Sequence, residues 1–166
     1  MFTLGDMRTP DLDVFESGNS EVDLFFKSRR WFNADKGKAA PPTYQFAGPK
    51  GEVVGYAAAS FRACACPTDG SESKAKYLVV YAAGLHSRFH GKLDPETDGE
   101  TFAVSIFRVL EEFARAKNGC AGLYLWVRSD NGRAIAFYKK FGFEADPEGA
   151  VQHDDGPPHF TMRKPV

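Results

Sequence analysis

The run His86-Ser87-Arg88-Phe89-His90-Gly91-Lys92 follows an almost wholly apolar stretch, Tyr77 to Leu85, and leads to a helical pattern that begins near Gly99 to Thr101. A helix start exposes unpaired backbone N–H groups and the positive end of the helix dipole, which together favour a phosphate. Glycine lets such a ligand approach the backbone closely. On geometry alone an ordinary strand-to-helix connection accounts for this arrangement equally well and is the commoner case. A second group, Asn131 to Phe143 (NGRAIAFYKKFGF), places Asn131, Tyr138 and Lys140 on a short helix directly behind another apolar run. His86, at the end of its strand, has an ordinary pKa of about 6.5, which suits proton transfer. A surface histidine at a strand end is the simpler reading.

Other candidates carry less. Cys64-Ala65-Cys66 is too sparse for a zinc site without a second ligand pair, and Cys120 alone does not supply one. All three read as structural. His153-Asp154-Asp155, within EGAVQHDDGPP, reads as a polar turn rather than a metal site.

The elements that must position these residues follow from periodicity. Val22, Phe25, Phe26 and Phe32 fall at helical spacing behind a cap at Asn19 or Ser20. Residues 33 to 42 are polar, then proline-rich, and read as a loop. Thr43 to Ala47 and Glu52 to Cys64 read as two strands joined through Gly48-Pro49-Lys50-Gly51. Residues 65 to 75 are small and polar, an exposed loop. Tyr77 to Leu85 has the composition of a central strand covered on both faces. From Thr101 to Lys117, Phe102, Ile106, Val109 and Phe113 share a face that Ala103, Phe107 and Leu110 widen, and Asn118-Gly119 ends the helix. Leu123 to Val127 is a buried strand, Ser129-Asp130-Asn131 a cap, Gly142 a C-terminal stop, and His159 to Arg163 a last strand. Strand, helix, strand, helix in this half predicts an α/β (α+β) chain with a mixed sheet and helices on both sides.

The second group carries a family likeness. Asn131, two residues, Ala134, two residues, Phe137-Tyr138, two residues, then Phe141-Gly142-Phe143 resembles the final helix of the GNAT (GCN5-related N-acetyltransferase) superfamily. That superfamily binds the coenzyme A diphosphate with a loop reading Gln or Arg, two residues, Gly, one residue, then Gly or Ala. Here the best match begins at His90-Gly91-Lys92 and ends at Gly99-Glu100-Thr101, with the six residues Leu93 to Asp98 inserted. His90 replaces the Gln or Arg, Thr101 replaces the last small residue, and Asp94 and Asp98 flank the expected phosphate position. The arrangement works if the insertion bulges outward and leaves the amides of Gly91, Lys92, Glu100 and Thr101 open. Charge-assisted hydrogen bonds contribute about 1.5–3 kcal/mol each, so three or four such amides suffice without a glutamine.

The resemblance implies a GNAT-type mixed, mainly antiparallel central sheet flanked by helices, a single domain over residues 1–166, acetyl-CoA as cofactor, and direct acetyl transfer to a primary amine. It implies Tyr138 as the acid beside the departing sulfur, with a core tyrosine as the plain alternative. Backbone groups of Ala83 and Leu85 would then meet the pantetheine, Asn131, Ala134 and Phe137 the coenzyme A arm, and Lys140 a phosphate, although a solvated lysine explains Lys140 equally. Structural packing accounts for Phe141 and Phe143.

The N-terminal stretch Phe15-Glu16-Ser17-Gly18-Asn19 through Phe25 is similar to a GNAT subgroup that includes toxins acetylating charged tRNA, and also to relatives with no toxin role. Lys27, Arg29, Arg30, Lys36 and Lys38 set five positive charges against Asp35 in twelve residues, which would suit tRNA or another anionic acceptor. A solvated helix face is the plainer account. A degenerate fold that binds an acyl-CoA or a partner without turnover is the alternative to an enzyme, and a homodimer is compatible with the family.

Composition sets the remaining bounds. With 166 residues and 43% hydrophobic content the chain suits one core. A net charge of −1, from 21 basic and 22 acidic residues, excludes a global field for polyanions. Three cysteines and no charged-then-apolar leader in Met1 to Pro10 predict a cytoplasmic protein. No apolar run approaches the roughly 20 residues of a membrane span.

Overall fold

Glycine decides how tightly the first strands pack. In a computed structural model describing residues 3–4, 14–27, 41–65, 73–152 and 155–166, a Cβ placed on Gly55 would stand 2.4 Å from the Gly84 carbonyl oxygen and 3.2 Å from the Ile106 side chain. A Cβ on Gly84 would stand 2.7 Å from Val22 and 2.8 Å from the Phe15 ring. Side chains at these two positions would force strands and helices apart.

The chain divides into two compact units, residues 1–60 with 81–109, and residues 61–80 with 110–166. In the first, the strand order is β1 (Thr3–Leu4), β2 (Thr43–Ala47), β3 (Val53–Ala65) and β4 (Lys74–Leu85), with β3 and β4 continuing into the second unit. β1 and β2 pair antiparallel, as do β2 and β3 in the register Thr43↔Ala58 to Ala47↔Val53. The hairpin turns at Gly51, whose φ of 77° is costly for any other residue.

Helix α1 (Ser20–Lys27) starts where Asn19 Oδ1 accepts the amides of Glu21 and Val22, the expected cap. Its Phe26 joins Phe15, Tyr56 and Ala58 in a fully buried cluster, with Phe15 edge-on to both aromatic neighbours. Gly55 and Tyr56 are adjacent on β3 and so face opposite sides. Tyr56 meets α1, while Gly55 meets Ile106 of α2 (Phe102–Arg115). Helices therefore cover both faces of the sheet in this unit, as the sequence predicts.

In the second unit the order is β4, β5 (Cys120–Arg128), β7 (His159–Pro165) and β6 (Glu144–Val151). β4 and β5 run parallel from Lys76↔Cys120 to Val80↔Leu125, and β5–β7 and β6–β7 are antiparallel. The sheet is thus mixed and mainly antiparallel. α3 (Gly132–Phe141) ends at Gly142, φ 100°, which donates to Lys139 and Tyr138 carbonyls as a left-handed cap. Two ion clusters tie this unit together. Arg163 makes a paired contact with the buried Asp146 (2.7 and 2.8 Å) and lies over the rings of Tyr77 and Tyr124. Burial opposes the guanidinium charge, yet its bonds to Asp146 and Tyr77 hold its pKa above the usual value. Glu111 accepts from both Arg115 and Lys164 at 2.6 Å.

Several boundaries shift from the sequence reading. β4 starts at Lys74, β5 spans Cys120–Arg128, and β6 and β1 are additions. Residues 28–40, with Phe32, Arg29, Arg30, Lys36 and Lys38, and also Cys66, His153 and Asp154, lie outside the described residues. No described helix is long and apolar enough to cross a membrane, and no group of metal-ligating residues occurs among the described residues.

Gly55→Ala should lower stability by about 1–3 kcal/mol, the cost of overpacking, read as a fall in the urea midpoint. Gly132→Ala, with nothing within 4 Å of the added carbon, should leave the midpoint unchanged or raise it; an equal loss in both variants would refute the packing account.

Candidate active site

The strand-to-helix connection lies within the first unit. After Leu85, a single 3-10 turn covers Ser87–Phe89, capped by His86, whose Nδ1 accepts from the Arg88 amide at 3.3 Å. Phe89 is buried and packs edge-on against Phe102, the first residue of α2, at 5.1 Å. This contact draws the two ends of the connection together. Between them the insertion folds on itself: Asp94 N donates to Glu100 O (2.8 Å), Phe102 N donates to Lys92 O (3.1 Å), and Leu93 bridges Thr101.

That hairpin answers where the amides point. In the Leu93–Thr101 bridge the inward bonds are made by the flanking residues, so the amide of Thr101 faces away from the ladder. Ser105 N is the first α2 amide to find a helical acceptor, the Thr101 carbonyl at 3.0 Å. The amides of Gly91, Thr101, Ala103 and Val104 have no partner among the described residues. Two of the four expected donors are corrected: Lys92 N is spent on Phe89 O (3.1 Å), and Glu100 N on Thr97 Oγ1 (3.2 Å). The first bond belongs to the turn after Phe89 and the second to the folded insertion. Gly99 N is also taken, by the Thr97 carbonyl at 3.0 Å. Ala103 and Val104 were missed, although a helix starting at residue 102 necessarily leaves these amides open.

Electrostatics favour an anion here more than the sequence implies. Asp94 is 4% exposed, and its Oδ1 accepts the Glu96 amide at 3.0 Å, so its charge is turned into the insertion. The Glu100 carboxylate is held by Arg108 Nε at 2.6 Å. Asp98 remains exposed. His90 is not aimed outward: its Nε2 lies 3.0 Å from the Leu85 carbonyl oxygen. That bond also occupies the Leu85 acceptor expected to meet pantetheine. The β4–β5 register ends at Val80↔Leu125 although β4 continues to Leu85, so Ala83 and Leu85 lie beyond the ladder.

His86 does not fit a base. Its Nδ1 lone pair receives the Arg88 N–H, so neutral His86 carries its proton on Nε2. Burial, and then the nearby Arg88 charge, lower its pKa from the ordinary histidine value.

In the second unit, Asn131 Oδ1 caps α3 by accepting the Ala134 amide at 3.2 Å, which explains both residues as helix-forming. Tyr138 is half-buried between Phe137 (5.6 Å) and Phe143 (5.5 Å). Burial pushes its phenol up to about 12. Phe137 also stacks on Phe141, while Lys140 is exposed.

Comparison with known proteins follows the same lines. Residues 9–143 match the acetyltransferase (GNAT) family, and the chain belongs to that family. No curated protein gives a significant match. Similar solved structures include one described as a bacterial toxin, 15% identical with a TM-score of 0.70, covering 100% of this chain and 90% of that one. A mutant AtaT toxin bound to the C-terminus of the antitoxin AtaR and acetyl-CoA is 15% identical, TM-score 0.60, covering 98% and 92%. Naa20 of Chaetomium thermophilum, in complex with a bisubstrate analogue, is 18% identical, TM-score 0.56, covering 85% and 73%. At these identities the likeness is one of fold.

The depressed His86 pKa has a signed consequence. The folded chain binds this proton less readily than the unfolded one, so the contribution is complete above a pH of about 6.5 and is lost as pH falls below it. His86→Asn keeps an acceptor for Arg88 and removes the titration. Its urea midpoint should fall less than that of the unmodified chain between about pH 7.5 and about pH 5.5; a parallel fall in both would disprove the assignment.

Proposed function

We propose that this chain is an acetyl-CoA-dependent N-acetyltransferase that acetylates a primary amine. The observation that carries this reading is the set of four unpartnered amides, Gly91, Thr101, Ala103 and Val104, gathered around the start of α2 in a chain of the GNAT family. Backbone donors at a helix start suit a diphosphate, the Glu100–Arg108 pair offsets one competing charge, and the Asp94 carboxylate is turned into the insertion. Acetyl-CoA supplies the activated acetyl thioester. The Ala83 backbone, which lies beyond the β4–β5 ladder, the first turn of α3 and the Phe137 ring are assigned to its arm, and exposed Lys92 and Lys140 to its phosphates.

The chain's own proton chemistry rests on Tyr138. A phenol with a pKa of about 12 stays protonated at neutral pH and can donate to the departing sulfur. Complete transfer to a thiolate of ordinary pKa, about 8.5, would cost about 4.8 kcal/mol. Tyr138 therefore acts as a hydrogen-bond donor that stabilises developing thiolate charge. The acceptor amine must arrive neutral, which costs about 4.6 kcal/mol at pH 7 for a lysine-like group. His86, with its lone pair engaged, is not the base; desolvation of the amine supplies this in part.

The narrower reading is a toxin-like enzyme acting on the aminoacyl group of charged tRNA. It is supported by the Phe15-Glu16-Ser17-Gly18-Asn19 segment and by likeness to toxin structures. Lys27, Arg29 and Arg30 would carry tRNA contacts.

Calorimetry with acetyl-CoA should show saturable binding, and no binding at millimolar concentration would sink the reading. In an acceptor screen including charged tRNA, Tyr138→Phe should lower kcat about 100- to 1,000-fold, as removal of one transition-state donor does. Binding without turnover on any amine would leave a non-catalytic coenzyme A protein instead.

A further inference from the structure

The proton on His90 is fixed by its partner. A carbonyl oxygen only accepts, so the Nε2 that lies 3.0 Å from Leu85 O is the donor. The bond closes the last residue of β4 onto the end of the 3-10 turn. A second support comes from the N-terminal segment. The Ser87 amide donates to the Glu16 carbonyl at 2.6 Å, the Phe15 ring meets His86 edge-on at 6.0 Å, and a Cβ on Gly18 would lie 3.6 Å from His90 Cε1. Gly18 has a φ of 77°, so the close passage beside His90 uses a backbone shape that other residues rarely adopt.

That segment is itself anchored. The Ser17 amide donates to Asp23 Oδ1 at 2.7 Å, Ser17 Oγ accepts the Asn19 amide at 3.1 Å, and Phe15 is 1% exposed within the cluster of Phe26 and Tyr56. A continuous path of contacts therefore runs from the aromatic core through Glu16 and Ser87 to His90 and back to Leu85. The next residue, Gly91, has a φ of 69° and an amide with no partner among the described residues. A ring committed to Leu85 cannot also donate from Nε2 to a phosphate.

We propose that His90 is a positioning residue for acetyl-CoA: its bond to Leu85, backed by the Phe15–Asn19 segment, sets the direction of the Gly91 amide without contacting the phosphate through Nε2. This rests on the acetyl-CoA reading given above. The role belongs to the hydrogen bond and not to the ring, so glutamine, whose side-chain amide can donate to the same carbonyl, should replace it.

The test pairs acetyl-CoA calorimetry with hydrogen exchange of residues 87–92 in the ligand-free chain, on the unmodified protein, His90→Ala and His90→Gln. His90→Ala should weaken the Kd about tenfold, equivalent to about 1.4 kcal/mol, and speed exchange in the loop. His90→Gln should restore both to within about threefold of the unmodified chain. Should alanine prevent folding, His90→Leu keeps volume, lacks the donor, and is expected to behave as alanine does. Unchanged affinity in the donor-less variant overturns the inference. So does weaker affinity with unaltered ligand-free exchange, which marks a direct ligand contact, and so does failure of glutamine to restore either readout. No binding by the unmodified chain overturns the acetyl-CoA reading and this inference with it, whereas binding by that chain with any of the other adverse results overturns the inference alone.

Discussion

An α-helix cannot satisfy the amides of its own first turn, and this constraint organises the connection between β4 and α2. A buried helix start with empty amides would be destabilising, because each unpaired donor removed from water costs about 1–3 kcal/mol. The chain meets part of the requirement internally. Phe102 N reaches back to Lys92 O, and the six-residue insertion closes with Thr97 serving Glu100 N. What remains, at Gly91, Thr101, Ala103 and Val104, is a compact group of donors rather than a frayed end. The folded insertion thus takes up Glu100 N and leaves Gly91 and Thr101 beside the two open α2 amides, where the dipole adds to their attraction for an anion.

Rigid surroundings make such a group selective. The Phe15, Phe26 and Tyr56 cluster fixes the segment that crosses the loop, and the Gly55 and Gly84 pair lets α1 and α2 approach the same strands from opposite faces. In the second unit the restraint is electrostatic. Asp146 and Arg163, with side chains 5% and 14% exposed, could not be held apart without leaving a charge buried and unpaired. The Tyr77 and Tyr124 rings beneath Arg163 add cation–π attraction, so β7 is fixed to β4, β5 and β6 at one residue.

Much of this was legible in residue patterns because single local rules decided it. Asn131 followed by Gly132 through Phe141 and then Gly142 states a cap, a helix and a left-handed stop, and the structure has each. Apolar Leu123, Leu125 and Val127 mark β5, and the amphipathic run from Phe102 marks α2. β6 was hidden, since Glu144–Val151 contains Pro147 and Gly149, lacks alternating apolar residues, and bulges between Ala145 and Ala150. Its existence depends on pairing with β7, a partner remote in sequence. For the candidate site, the location of the loop could be read, but not the fate of each amide. Whether Lys92 N and Glu100 N stay open is settled by how the chain turns at Phe89 and at Thr97, and Asp94 turns inward for a reason, its bond to Glu96 N, that composition does not announce.

The elevated pKa of Tyr138 bears on the role proposed for it. Proton transfer works best when the acid's pKa lies near the working pH, and burial drives the phenol the other way, to about 12. A group selected as a proton reservoir would be expected to have a lowered pKa, whereas burial raises that of Tyr138. The same burial strengthens a hydrogen bond by lowering the local dielectric, and it keeps the phenol protonated at neutral pH. A phenol with a raised pKa is therefore poorly suited to delivering a proton, which is why a hydrogen-bond donor is the role proposed for Tyr138.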